Sequence, residues 1–216
     1  VLCHLFRPEC ADFVPDADAA LRVAQTATSC VLKTHGVFVH DVARLAGSLE
    51  VIRVLRNYAD CLISRALYCR NVRPAEGLDN LPREAEIIEH CAGLDDRAYV
   101  NFILFDAEVA ARWLDELAHF EMGAFPYTFI YETLVRDAQV EFTKWLRAAG
   151  LDDRVTPAAL QGALEQCSME RMRAVTTPGF VGSTGVGKAG WWLEPAVQAR
   201  LEQTYRRVKA ALDRDQ

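Results

Sequence analysis

No run in this 216-residue sequence approaches the roughly 20 apolar residues that a membrane helix needs. It also lacks internal repeats and low-complexity linkers. Its seven cysteines are an odd number and widely spread. No two of them stand as C-x-x-C, which excludes a zinc ribbon and a dithiol redox site. Basic charge is short as well: 24 Lys and Arg face 30 Asp and Glu, for a formal charge of −6. A broad nucleic-acid surface is therefore excluded, while a local basic pocket for a small anion is not.

What is present is an ordinary globular composition, 51% hydrophobic and 25% charged, enough for one domain with a sizeable core. Several cysteines sit inside apolar runs, as reduced thiols used for packing do, and the expected compartment is the cytoplasm. The opening "VLCHLFRPECADFVPDADAALR" shows neither a processing signal nor a clear first strand. We expect it to begin inside a longer natural sequence.

Hydrophobic spacing predicts a helix over 19–28, a short buried strand at "CVLKTH" (30–35) and a strand at "LEVIRVLRN" (49–57). Helices are predicted over 58–70 and 82–92, the latter opened by Pro82. One long amphipathic helix is predicted over 96–120, with Phe102, Phe105, Val109, Trp113 and Leu117 along one side. A strand at "FPYTFIYE" (125–132) and a helix over 137–149 follow. Thr156-Pro157 opens a further helix as N-cap and first residue, and 195–213 forms the last. Strands separated by helices predict an α/β protein with a parallel sheet. Three strands are few for this length, so a sheet strand is expected to be missing from the front.

"GFVGSTGVGKAGWW" (179–192) invites a Walker reading, since Gly182, Gly187 and Lys188 fit most of G-x-x-x-x-G-K-[ST]. Such a loop needs a buried strand before it and a hydroxyl after the lysine. Here Pro178 and Gly179 spoil the strand, and Ala189 stands where the magnesium-binding hydroxyl belongs. Gly190 and Pro195 are expected to interrupt any following helix. No apolar strand ending in aspartate follows to hold a metal. A nucleoside triphosphatase is thereby demoted.

Three other signals carry chemistry. In "VLKTH", Lys33 and His35 stand at the carboxyl end of a predicted strand, where ligands of open α/β sheets gather. Lysine can neutralise a transferring anionic group, and histidine can accept a proton near neutral pH. In "VIRVLRNYADCLISRALYCR", Arg56 leaves a strand and Ser64 follows eight residues on, with Asp60 near the helix start. Together they offer a planar fork of donors and a hydroxyl to a phosphate. In "FIYETLV", Tyr131 and Glu132 stand at a predicted strand end. Read singly, each signal also suits a structural residue: a satisfied histidine, an ion-paired arginine, a half-buried tyrosine.

In this order and spacing, the segments resemble the cytosolic and bacterial sulfotransferases that use 3′-phosphoadenylyl sulfate (PAPS). Lys33-Thr34-His35 resembles that family's K-T-H, whose histidine is the catalytic base. Arg56 to Ser64 resembles the R-N-x-x-D-x-x-x-S segment that grips the 3′-phosphate, and Tyr131-Glu132-x-Leu134 the Y-E-D-L element near the adenine. "CSMERMR" (167–173) resembles T-S-F-x-x-M, with Met169 at the adenine-stacking position. Gly187, Gly190 and Trp192 fall on the last fixed positions of R-K-G-x-x-G-x-W, the loop that closes over the 3′-phosphate. "FVG" together with "CSMERMR" is also similar to bacterial sulfotransferases acting on glycopeptides.

The resemblance implies a single domain over 1–216 with a P-loop-like fold, a three-layer parallel sheet flanked by helices, lacking its first strand. It implies a sulfuryl transfer from PAPS to a hydroxyl or amine of a small-molecule acceptor. His35 and Lys33 would be catalytic. Arg56, Ser64, Tyr131, Met169, Gly187 and Lys188 would hold the donor, and no metal, nucleic acid or membrane is called for. Two departures stand out. Gly185 and Val186 replace the family's Arg-Lys, leaving Lys188 to supply charge. The P-K-S-G-T-T-W loop that cradles the 5′-phosphosulfate has no counterpart in the sequence. A non-catalytic nucleotide-binding or interaction domain on the same scaffold is the alternative from another class.

Overall fold

The computed structural model describes residues 2–6, 9–14, 16–33, 41–71, 82–168, 171 and 186–215. In chain order its elements are α1 (Leu2–Phe6), β1 (Cys10–Phe13), α2 (Ala17–Thr26), β2 (Cys30–Lys33), α3 (Val42–Ala46), β3 (Ile52–Leu55) and α4 (Tyr58–Asn71). They continue with α5 (Pro82–His90), α6 (Asp96–Phe105), α7 (Ala107–Met122), β4 (Tyr127–Ile130), α8 (Tyr131–Arg136) and α9 (Ala138–Ala148). A 3₁₀ turn (Asp152–Arg154), α10 (Pro157–Gln166), α11 (Ala189–Trp192) and α12 (Pro195–Asp215) complete the chain.

Side-chain oxygens open several of these helices, because the first backbone amides of a helix have no partner within it. Asp16 accepts from Ala19 N at 2.7 Å, Asp95 from Ala98 N at 2.8 Å and Asp137 from Val140 N at 3.1 Å. Thr156 caps α10 by accepting from Ala159 N at 3.2 Å, with Pro157 first in the helix as expected.

Contacts divide the chain into two compact units, Val1–Leu55 with Met122–Ala174, and Arg56–Glu121 with Val175–Gln216. The first holds the described strands, which form two parallel pairs. β1 runs beside β2 with Cys10 opposite Cys30, and β3 beside β4 with Ile52 opposite Tyr127. Helices with parallel strand pairs agree with the α/β expectation. Arg53 ties β3 to β4: its Nε donates to Thr128 Oγ1 at 2.8 Å, and its Nη1 to the Gly123 carbonyl at 2.7 Å. Phe129, Phe142 and Trp145 pack behind β4 as an aromatic cluster. An apolar hollow of about 520 Å³ opens beside β2 and β3, with Val31, Leu32, Leu49, Val51 and Trp145 in its walls.

The second unit is helical among its described residues. Leu62 and Ile63 of α4, Ile103 of α6, Trp113 of α7 and Leu201 of α12 share one closed core. Asn101, buried on α6, donates from Nδ2 to the Trp192 carbonyl at 2.8 Å and accepts from Glu194 N at 2.7 Å. Those two bonds fix the junction of α11 and α12. Among the described residues no helix is long and apolar enough to cross a membrane. Among the described residues, Cys3, Cys30, Cys61, Cys69, Cys91 and Cys167 form no disulfide.

Several expectations need correcting. β1 exists although "CADF" shows no strand pattern. Its pairing comes from β2, helped by Glu9, whose carboxylate accepts from Thr28 N at 2.9 Å. The long helix over 96–120 is two helices, because Asp106 ends α6 in an extended conformation. Its side chain accepts from both Glu108 N and Val109 N at 3.1 Å, capping α7. The break shifts the helical phase, so Phe102 and Phe105 are 45% and 53% exposed while Trp113 is fully buried. β4 ends at Ile130, and Tyr131 begins a helix instead of ending a strand. Gly190 lies inside α11 and does not interrupt it, whereas Pro195 stands after the end of α11 and opens the last helix at the expected place.

Candidate anion-binding site

Arg56 follows β3 directly, and Asn57 opens α4: its Oδ1 accepts from Ala59 N at 3.0 Å and Asp60 N at 3.4 Å. The next turn then brings positions 56, 60 and 64 to one side, as the fourfold helical spacing requires. Arg56 Nη1 donates to Ser64 Oγ at 3.2 Å, and Arg56 Nη2 lies 3.9 Å from Asp60 Oδ2. The Arg56 side chain is 15% exposed and that of Asp60 1%.

The glycine-rich segment meets the same turn. Gly187 N donates to Asp60 Oδ2 at 2.9 Å, and Ala189 N to Asp60 Oδ1 at 3.3 Å. Gly187 has φ +75°, a left-handed conformation that side chains disfavour, and this lets two amides close on one carboxylate. Its own N–H is thereby committed to Asp60. Lys188 lies between them, and its side chain is carried inward to 3% exposure.

Among the described residues, no hydrogen bond or ion pair reaches the Lys188 ammonium. Burial pushes this amine below the ordinary lysine value, the Arg56 guanidinium adds to the push, and the Asp60 carboxylate opposes it. Among the described residues, Asp60 is the carboxylate within ion-pair distance of Arg56 and also acts on Lys188, and an ammonium in so buried a place is costly. An anion offering several acceptor oxygens relieves that cost and matches the planar arginine fork.

The structure therefore brings together Arg56, Ser64, Gly187 and Lys188, four of the residues singled out from sequence. Tyr131 is half-buried at the start of α8 and belongs to the other compact unit. Lys33 is the last residue of β2, opposite Phe13. Its side chain lies outside the described residues, as do His35 and Met169 entirely. Asp60 was expected only near a helix start. Its role as acceptor for Gly187 and Ala189 joins positions 127 and 129 residues apart, and no local pattern announces that.

No protein-family model matches this chain, and no curated protein matches it.

Proposed function

We propose that the protein is a PAPS-dependent sulfotransferase whose 3′-phosphate is held by Arg56, Ser64 and Lys188. The observation that carries this reading is the Arg56–Ser64 pair at the start of α4, joined through Asp60 to the backbone on either side of the buried Lys188. That donor set suits a doubly charged phosphate, for which charge-assisted bonds are the strong ones. Gly187 contributes the turn that orients Lys188.

PAPS supplies an activated sulfuryl group on a phosphate leaving group. His35 takes the proton from the acceptor hydroxyl or amine as it attacks, and Lys33 neutralises charge on the sulfuryl and bridging oxygens. The resemblance assigns Tyr131 and Met169 to the adenine. On this reading the two parallel strand pairs are parts of one three-layer sheet. Fixed donors perform the charge stabilisation, so the mechanism calls for no metal.

The binding half is tested by calorimetry with adenosine 3′,5′-bisphosphate, where saturable binding is expected and its absence rejects the reading. The catalytic half is tested by transfer of labelled sulfuryl from PAPS to acceptor alcohols and amines. Replacing His35 with alanine should abolish transfer and leave bisphosphate binding largely intact. Unchanged turnover would remove His35 from the role of base. A second reading from another class is a nucleotide-binding domain without catalysis on the same scaffold. Bisphosphate binding without transfer selects it.

A further inference from the structure

The segment that carries Lys188 is pinned at both ends. Asn101 holds Trp192 and Glu194 at one end, and Asp60 holds Gly187 and Ala189 at the other. The second pin is unusual in its charge. A carboxylate with no solvent exposure accepts two loop amides and lies within ion-pair distance of Arg56. Its negative charge also acts on Lys188, opposing the effect of Arg56.

We propose that Asp60 is the positioning residue of this anion site, latching the backbone of Gly187 and Ala189 to the first turn of α4 and so holding Lys188 beside Arg56. Without the latch, the short connection from Val186 to α11 is free to swing, and the Lys188 amine has every electrostatic reason to leave. Like charges repel, and water solvates an ammonium better than a buried cleft does. Asp60 offsets both effects. It binds the backbone on either side of Lys188 and places a negative charge between the two cations. Its geometry still leaves the lysine's own donors uncommitted for a ligand.

The ligand part of this proposal rests on the function proposed above; the latch does not. The probes are adenosine 3′,5′-bisphosphate and inorganic phosphate, titrated against the full chain. Amide exchange at Gly187 and Ala189 is followed in parallel. Asp60→Asn is expected to speed exchange at both amides at least tenfold and to weaken the bisphosphate at least tenfold. Asp60→Glu, which restores the charge, should recover part of that affinity. Ser64→Ala should weaken the ligand while leaving exchange unaltered.

Exchange at the wild-type rate in Asp60→Asn overturns the latch. Faster exchange with unchanged affinity, or no recovery in Asp60→Glu, overturns the positioning role. If circular dichroism shows that Asp60→Asn does not fold, Gly187→Ala replaces it. A Cβ there meets nothing within 4 Å, yet φ +75° disfavours any side chain, so the latch loosens from the loop side alone. The same paired changes are expected, and wild-type behaviour overturns the proposal. Should the wild-type chain fail to bind the bisphosphate, the cofactor reading falls by itself. Exchange and phosphate affinity, both of which Asp60→Asn must then alter, still decide the inference.

Discussion

Two carboxylates in the helical unit sit alike in sequence and differently in space. Asp60 is the third residue of α4 and Glu84 the third of α5, and both are fully buried. Glu84 Oε1 takes the Arg112 guanidinium and, at 3.0 Å, the Trp113 indole N–H. Its donors come from a neighbouring helix and close on it directly. Asp60 spends both oxygens on backbone amides of a distant segment and stands 3.9 Å from Arg56. One carboxylate is held through Oε1 by Arg112 and Trp113, with its Oε2 buried and without a hydrogen-bond partner among the described residues. The other closes on the loop that carries Lys188, and that is the difference between a structural pin and part of a built site.

The widest test of this contrast is Glu84→Ala. Removing this carboxylate leaves the buried Trp113 indole N–H without its acceptor and takes a partner from the partly exposed Arg112 guanidinium, which costs about 2 kcal/mol. Urea unfolding should show that loss, with bisphosphate affinity within about twofold of wild type. A comparable loss of affinity would mean that Glu84 belongs to the site and that the contrast is false. Arg56→Ala should do the reverse. Removing a charge-assisted contact to phosphate weakens binding by about 2 kcal/mol, or about thirtyfold, as calorimetry at fixed salt will show.

Lys188 sharpens the comparison through pH. Below its depressed pKa the amine is charged in folded and unfolded chains alike, and its burial counts against folding. As pH rises from that depressed value toward 10.5, the folded chain loses the proton first, so this group's contribution to stability increases. Anion affinity runs the opposite way, because the neutral amine no longer attracts phosphate. Lys188→Met should lower bisphosphate affinity about tenfold near pH 7, about 1.4 kcal/mol, and should flatten the alkaline fall seen in wild type. An alkaline fall that survives the substitution assigns it to another group.

The local parts of this arrangement were legible in the sequence. Arg56, Asp60 and Ser64 stand four apart, and the strand-to-helix change around them is written in branched residues followed by helical spacing. The caps at Thr156 and the proline starts of α5 and α12 were equally plain. Features that depend on partners were not. β1 is a strand because β2 lies beside it, and "CADF" carries no periodicity of its own. Asp106 looked like one more polar residue on a long helix, because capping by a mid-helix aspartate depends on a backbone break that composition does not mark. The Asp60–Gly187 contact spans more than half the chain, beyond any spacing rule. Met169 rests on resemblance alone, and His35 on resemblance together with its place after a predicted strand.

The smallest expected effect discriminates most finely. Ser64 accepts from Arg56 Nη1 at 3.2 Å, and a hydroxyl can accept with its oxygen while donating its own hydrogen. In the bound state it would therefore orient the guanidinium and touch the phosphate at once. Ser64→Ala removes one neutral hydrogen bond, about 1 kcal/mol or roughly fivefold in affinity. If orienting Arg56 is part of that contribution, Ser64→Ala should have less effect once Arg56 is already alanine, under about twofold. Strict additivity in the double-mutant cycle would mean that the serine acts on the ligand alone. The Arg56–Ser64 contact would then be a neighbourly one without a share in building the site.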